Sequence, residues 1–178
     1  MIRSIPTINT ARLTLAGMRP EDFERFAELW AMPEVVRHIG GEPRSRGRAW
    51  ESFLRNAGHW QMAGFGQWGI VTQRDRRLVG QVGFFYENRD LGEEFDRFPE
   101  AGWALAPEAQ GQGLGREAAQ AAHDWFDRII TGPLVAMINA GNEASQRIAD
   151  HLGYAPLREV EFRDQSVILL HRAGPPQG

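Results

Sequence analysis

A glycine-rich turn between a predicted strand and a predicted helix is the first stretch that could do chemistry. Residues 101–106 have the composition of a strand and residues 116–128 the pattern of an amphipathic helix, with the sequence QGQGLG (residues 110–115) between them. Glycines let a bulky anion approach the backbone, and the helix N-terminus offers unpaired N–H groups with a partial positive charge. The turn is therefore predicted to bind a phosphate or pyrophosphate.

The spacing of the glycines and the absence of lysine narrow the choice of phosphate ligand. A dinucleotide fingerprint needs Gly-x-Gly-x-x-Gly, but counting from Gly111 the third glycine falls on Arg116. A P-loop ends in Gly-Lys-Ser/Thr, and every basic residue here other than histidine is arginine. This also excludes a lysine Schiff base to pyridoxal phosphate. What remains is Gln-x-x-Gly-x-Gly, formed by Gln110, Gly113 and Gly115.

The elements that must position this turn follow from hydrophobic periodicity and breaker residues. The pattern predicts, in chain order, a strand (12–18), a helix (from 19), a loop (35–42), a helix capped by Ser45, a hairpin (67–73 and 78–86), an acidic loop (87–100), the strand–turn–helix, a strand (134–138), a helix (143–152) and two strands (154–162 and 166–171). The helix after Ser45 is predicted to bury Trp50, Phe53, Leu54 and Ala57. Such an order predicts a mixed sheet flanked by helices.

Composition limits the class of protein. With 178 residues we expect a single domain over residues 1–178, with a frayed tail at 173–178. The net charge of −3 gives no reason to expect nucleic acid or an anionic membrane as partner. No cysteine, no membrane-length apolar run and no leader-like N-terminus are present, so we expect a cytoplasmic protein. The five histidines show no metal-ligand spacing, and no metal is expected.

Four further segments support a family resemblance. They are Pro99-Glu100-Ala101-Gly102-Trp103, Arg116-Glu117-Ala118, Asn142-Glu143-Ala144-Ser145 and Leu152-Gly153-Tyr154. Together with the glycine turn, they resemble the GNAT superfamily of N-acetyltransferases, in its ribosomal-protein N-terminal acetyltransferase-like branch. The resemblance implies an α/β (α+β) fold with a mixed, mostly antiparallel central sheet flanked by helices on both faces. It also implies direct transfer of an acetyl group from acetyl-CoA, as co-substrate, to a primary amine, either a peptide N-terminus or a small-molecule amine.

The same resemblance assigns the cofactor-binding residues. The CoA pyrophosphate would be held by Gln110, Gly111, Gln112, Gly113, Leu114, Gly115 and Arg116. The backbone of Trp103, Ala104 and Leu105 would hydrogen-bond the pantetheine arm, and a backbone N–H there would polarise the thioester. Asn142 would contact the arm, cap its helix, or do both. Ser145 would contact the CoA sulfur, or only bond its own backbone.

The resemblance assigns the catalytic residues less completely. Glu100 is the candidate general base for the amine, although it could instead be an exposed residue of the acidic loop. Many members carry a tyrosine general acid seven residues after the asparagine, and here that position is Ala149. We expect the nearby Tyr154 to pack in the core, and Ser145 or water to protonate the thiolate.

The acceptor is predicted from charge. The loop 87–100 holds six acidic residues and two arginines, a net charge of −4, which would favour a cationic amine, unless the acids serve only solubility. A homodimer is compatible with the sequence. Two other functions stay open: a non-catalytic acyl-CoA-binding module, suggested by Ala149, and a dinucleotide-binding protein, which Arg116 argues against.

Overall fold

The computed structural model describes residues 4–176, in which eight strands form one sheet. The strands are β1 (Ile8–Asn9), β2 (Leu13–Ala16), β3 (Gln67–Thr72), β4 (Leu78–Phe85), β5 (Glu100–Leu105), β6 (Leu134–Asn139), β7 (Ala155–Phe162) and β8 (Gln165–Arg172). The helices are α1 (Phe23–Trp30), α2 (Pro33–Val36), α3 (Arg46–Met62), α4 (Glu93–Asp96), α5 (Leu114–Ile129) and α6 (Glu143–His151), with 3-10 turns at Pro20–Asp22 and Pro107–Ala109. Residues 173–176 lie outside any helix or strand, and the rest of the tail predicted to fray lies outside the described residues.

The strand order creates an opening in the middle of the sheet. The order is β1-β2-β3-β4-β5-β6-β8-β7, and every neighbouring pair is antiparallel except β5 and β6. This parallel pair has a single residue in register, Glu100 opposite Val135. Beyond that point the two strands separate, so the edges that face each other have no strand partner.

Helices pack on both faces of the sheet. Adjacent residues of a strand point to opposite faces, so one strand can contribute apolar side chains to both helix layers. Leu78 packs with the aromatic residues of α1 and α3, whereas the next residue, Val79, belongs to the core under α5. The mixed, mostly antiparallel sheet with helices on both faces is confirmed. Within residues 4–176, no helix has the length and apolarity to span a membrane.

Three local predictions were wrong. The predicted acidic loop 87–100 contains the short helix α4 (Glu93–Asp96), and its last residue, Glu100, is the first residue of β5. The other two concern the segment before β3. Residues 35–42 are not all loop, because Val35 and Val36 belong to the short helix α2. Pro33 was predicted only to end the preceding helix, but it also occupies the first turn of α2. Ser45 does cap α3, accepting from the Arg48 N–H at 3.3 Å. The buried face of α3 is nevertheless formed by Ala49, Phe53, Asn56 and Trp60. The predicted Trp50 and Leu54 are 43% and 51% exposed.

Candidate active site

The glycine turn leaves the N-terminus of α5 open to an anion. Gly111 and Gly113 have φ of 72° and 77°, the left-handed region that favours glycine. Gly113 is the N-cap of α5 and no side chain caps the helix there, so first-turn N–H groups stay available. A Cβ on Gly115 would lie 3.1 Å from Leu105 Cδ1, which explains why a glycine lets α5 begin close to β5.

The register of β5 decides which backbone groups face the opening. The Ala106 N–H donates to the Val79 carbonyl at 2.7 Å, so this residue of β5 directs its backbone groups to β4. In an antiparallel ladder, hydrogen-bonded residue pairs alternate with pairs whose backbone groups point away from each other. The N–H and C=O of Ala104 therefore point to Gln81 on β4, while those of Trp103 and Leu105 point to the opening. The Gln110 side chain donates to the Leu105 carbonyl at 3.0 Å. The backbone groups of Trp103 and the Leu105 N–H remain for a ligand.

These groups line a groove of about 700 Å³. Eleven of the twelve predicted cofactor-binding residues line it, with Asn142 and Ser145 at one end. The other nine are Trp103, Ala104, Leu105, Gln110, Gly111, Gly113, Leu114, Gly115 and Arg116. Gln112 is not in the lining, because its side chain folds back to donate to the Glu108 carbonyl at 2.8 Å. Arg37 and Arg147 join Arg116 in the lining and could meet CoA phosphates. Neither arginine was predicted as a site residue, because neither lies in a recognisable motif.

Ser145 is held in place from two sides. The Asn142 side chain caps α6 by accepting from the Ser145 N–H at 3.1 Å. The Trp103 indole N–H donates to Ser145 Oγ at 3.1 Å. Because the serine oxygen already accepts this bond, its own proton is free to be donated elsewhere. The structure thus brings Trp103, Asn142 and Ser145 together, and the indole contact was not foreseen.

A second cavity, of about 150 Å³, meets the groove at this point. Six residues line both spaces: His38, Ile39, Trp103, Ala104, Asn142 and Ser145. The smaller cavity extends from this junction along α3 and β4, past Arg55 and Gln81. We call it the acceptor cavity. His38 lies in the turn after α2 and is the one junction residue with an imidazole, the side chain most often used as a general base.

Glu100 does not line either space. It is buried, and Arg89 Nε and Nη2 donate to its two carboxylate oxygens at 2.7 and 3.0 Å. Burial raises the pKa of the Glu100 carboxyl, and the charge of Arg89 opposes that shift. Because Arg89 occupies both oxygens, this geometry favours a structural ion pair over a base in contact with the amine.

The prediction that Tyr154 packs in the core is confirmed. Its hydroxyl lies 2.8 Å from His123 Nε2, and burial raises the pKa of the phenol. Burial also lowers the pKa of His123 to about 4, so this imidazole stays neutral at physiological pH. The candidate tyrosine position, Ala149, is fully buried. Among the described residues, no group of three or more histidines and carboxylates is placed to hold a metal.

The family follows from a comparison of the whole domain. A model of the acetyltransferase (GNAT) domain matches residues 12–155, and the chain belongs to this family of acyl-CoA-dependent acetyltransferases. The chain is 28% identical over 147 residues to the uncharacterised protein YkkB of Bacillus subtilis, which covers 81% of this chain and 82% of YkkB.

Solved structures agree with this family. A protein of Bordetella pertussis described as a GNAT-family acetyltransferase superposes with a TM-score of 0.86 at 29% identity, covering 95% of this chain and all of the other. RimL, the ribosomal L7/L12 α-N-protein acetyltransferase, in complex with coenzyme A, gives a TM-score of 0.77 at 16% identity, covering 95% and 98%. At 16% identity, the similarity to RimL shows a shared fold and does not extend to its substrate.

Proposed function

We propose that this protein is an N-acetyltransferase that moves the acetyl group of acetyl-CoA directly to a primary amine. The observation that carries the proposal is the junction of two separate spaces at Trp103, Asn142 and Ser145. One space has the open helix N-terminus and free strand edge that suit CoA. The other is a distinct cavity of a size for a small amine or for the end of a longer chain.

The geometry supports direct transfer without a covalent enzyme intermediate. The amine nitrogen attacks the thioester carbonyl, a C–N bond forms, and the C–S bond breaks to release CoA. A backbone N–H of β5 facing the opening would stabilise the oxyanion. The hydroxyl of Ser145, oriented by Trp103, would donate a proton to the departing sulfur and regain one from the proton that the amine gives up, so that the serine ends the reaction as a hydroxyl. A thiol is already a good leaving group, with a reference pKa of about 8.5, so no tyrosine acid is required.

The proton of the amine needs an acceptor at the junction. Glu100 was the sequence-based candidate, and its base role stays a proposal that the Arg89 contact disfavours. We place proton uptake on His38, directly or through water, because it lines both spaces. The ribosomal-protein branch, a cytoplasmic location and a homodimer likewise stay proposals.

Turnover with a panel of amines tests the proposal. Acetyl-CoA and CoA should raise the melting temperature by binding the folded state, and free thiol should appear together with an acetylated amine. Stabilisation by CoA with no acetylation of any amine would instead favour the non-catalytic acyl-CoA-binding module. Stabilisation by NAD and not by CoA would favour the dinucleotide-binding alternative.

The two candidate bases can be separated by pH. His38→Gln should lower kcat/KM about 100-fold at neutral pH, and the loss should shrink at alkaline pH, where more of the amine is already neutral. Glu100→Gln should mainly lower stability, by about 3 kcal/mol, because it leaves a buried arginine without its carboxylate. A pH-rate profile and a denaturation curve on each variant are the measurements. A fully active His38→Gln enzyme, with a pH-dependent defect in Glu100→Gln, would reverse the assignment.

A further inference from the structure

The lining of the acceptor cavity is cationic. It contains three arginines, Arg44, Arg55 and Arg89, and a single carboxylate, Glu87. Arg89 is already paired with Glu100, which lies outside the lining. Arg55 lies 3.4 Å from Glu87, through an exposed contact. After these two pairs are formed, the positive charge of Arg44 remains.

Arg44 is fixed in place without a carboxylate partner among residues 4–176. Its guanidinium stacks 3.6 Å from the centre of the Trp30 ring, and Nη1 donates to Ser52 Oγ at 3.1 Å. Its backbone N–H donates to the Trp30 carbonyl at 2.8 Å. Burial, followed by the charge of Arg55, lowers the pKa of Arg44 to about 10, and the charge of Glu87 only partly opposes this shift. A half-buried cation under these conditions is stabilised by an anion.

Asn56 adds an unused donor to the same wall. It lies on the buried face of α3 and lines the acceptor cavity. Its Nδ2 is buried and has no hydrogen-bond partner among the described residues. Buried donors normally have an acceptor. A molecule bound in the cavity could supply the acceptor that Asn56 Nδ2 lacks.

Four of the six acids of the loop 87–100 already have partners. Asp96 accepts from the backbone N–H groups of Arg89, Leu91 and Gly92. Glu94 pairs with Arg158 at 3.1 Å, and Glu87 and Glu100 pair with arginines of the cavity. These contacts weigh against the expectation of a cationic acceptor, because four of the six acidic charges on which it rested already have partners.

We propose that the acceptor is a small primary amine that also carries an anionic group, a carboxylate or a phosphonate or phosphate, bound by Arg44. The amine end lies at the junction with Ser145 and His38. This inference rests on the proposed function, and it names the substrate class of the same site. Guanidinium groups suit both anions because they can donate two parallel hydrogen bonds.

Matched amines test the charge of the acceptor. Four primary amines of similar length differ only at the end away from the amine. That end is anionic in 4-aminobutyrate and 3-aminopropylphosphonate, neutral in butylamine and cationic in putrescine. A series of ω-amino acids of increasing length covers the distance between the amine and the anionic group, which is not fixed by the proposal. The best anionic amine should exceed its neutral partner in kcat/KM by at least about tenfold. A preference for butylamine or putrescine at every length would overturn the inference, and a preference between carboxylate and phosphonate would identify the source of the anion.

A charge-removal variant connects the preference to the cavity. Arg44→Gln should raise KM for the best anionic amine about 10- to 100-fold, with little change for the neutral amine or for CoA affinity. Arg48→Gln is the matched control, because Arg48 lies four residues away, is exposed and is not in the lining. Equal effects of Arg44→Gln and Arg48→Gln would contradict the inference.

Binding separates this inference from the catalytic proposal. If no amine is acetylated, the acetyltransferase proposal fails, and calorimetry on the CoA complex still decides the charge of the ligand. The anionic amines should bind more tightly than the neutral ones, and Arg44→Gln should remove the difference. Equal binding of anionic and neutral amines would overturn the inference whatever the turnover.

Discussion

Gly113→Val should weaken CoA binding at least 100-fold while leaving the fold intact. Gly113 caps α5 in the left-handed region, with φ of 77°, where a β-branched residue is strained. Relief of that strain would turn the first N–H groups of α5 away from the pyrophosphate. Losing two charge-assisted hydrogen bonds at about 1.5 kcal/mol each corresponds to this factor. Calorimetric titration with CoA measures it.

Gly132→Val is the matched control for backbone strain. Gly132 also has a positive φ, of 112°, a Cβ there would meet nothing within 4 Å, and it is absent from the groove lining. A Cβ on Gly113 would meet only Arg12 Nη2, at 3.5 Å, so crowding does not explain a loss of binding. We expect Gly132→Val to lose stability but keep its CoA affinity. Unchanged CoA affinity in Gly113→Val would remove the glycine turn from the cofactor site.

Ser145→Ala should lower kcat about 100-fold with CoA affinity nearly unchanged. The variant removes the hydroxyl that would protonate the thiolate, and it leaves the Trp103 indole N–H without its acceptor. The loss should shrink above the reference thiol pKa of about 8.5, where the thiolate needs no proton. Single-turnover rates with acetyl-CoA, measured across pH, separate this step from product release.

Trp103→Phe tests whether the indole acts through the serine. The variant keeps most of the ring but removes the N–H that holds Ser145 Oγ. We expect a smaller loss than for Ser145→Ala, and no additional loss when both substitutions are combined. Additive losses would mean that Trp103 acts independently, and a full-rate Ser145→Ala enzyme would exclude the serine as the proton donor.

The parts of the site that sequence analysis predicted depend on local signals. The glycine turn before α5 and the Asn142 cap of α6 are determined by residues within a few positions of each other, and the structure shows both. The hairpin of β3 and β4 follows from alternation and a polar turn in the same way. In each case the pattern specifies the backbone without knowledge of distant residues.

The parts that sequence analysis missed depend on contacts between distant segments. The apolar stripe of α3 was assigned to Trp50 and Leu54, but Trp50 packs against Phe23 near the surface, and the helix instead buries Asn56 and Trp60. Nothing within α3 distinguishes these faces, because the choice depends on α1 and the sheet. The contact of Trp103 with Ser145 spans 42 positions and has no local signature.

Charge counting along the sequence leaves the charge of the acceptor open for a related reason. The net charge of the loop 87–100 is visible in the sequence, but the partners of its acids are not. Arg158 is 64 positions from Glu94, and Arg55 is on a different element from Glu87. The charge that an acceptor meets is therefore set by which arginine is left without a carboxylate, and only the tertiary structure identifies Arg44.

A crystal structure of the protein with CoA tests the central claim most directly. The account predicts the pyrophosphate on the first N–H groups of α5, the pantetheine arm in the opening between β5 and β6, and the sulfur within hydrogen-bond distance of Ser145 Oγ, facing the acceptor cavity. A CoA molecule bound elsewhere, or one whose thiol is directed away from the junction of the two spaces, would contradict it.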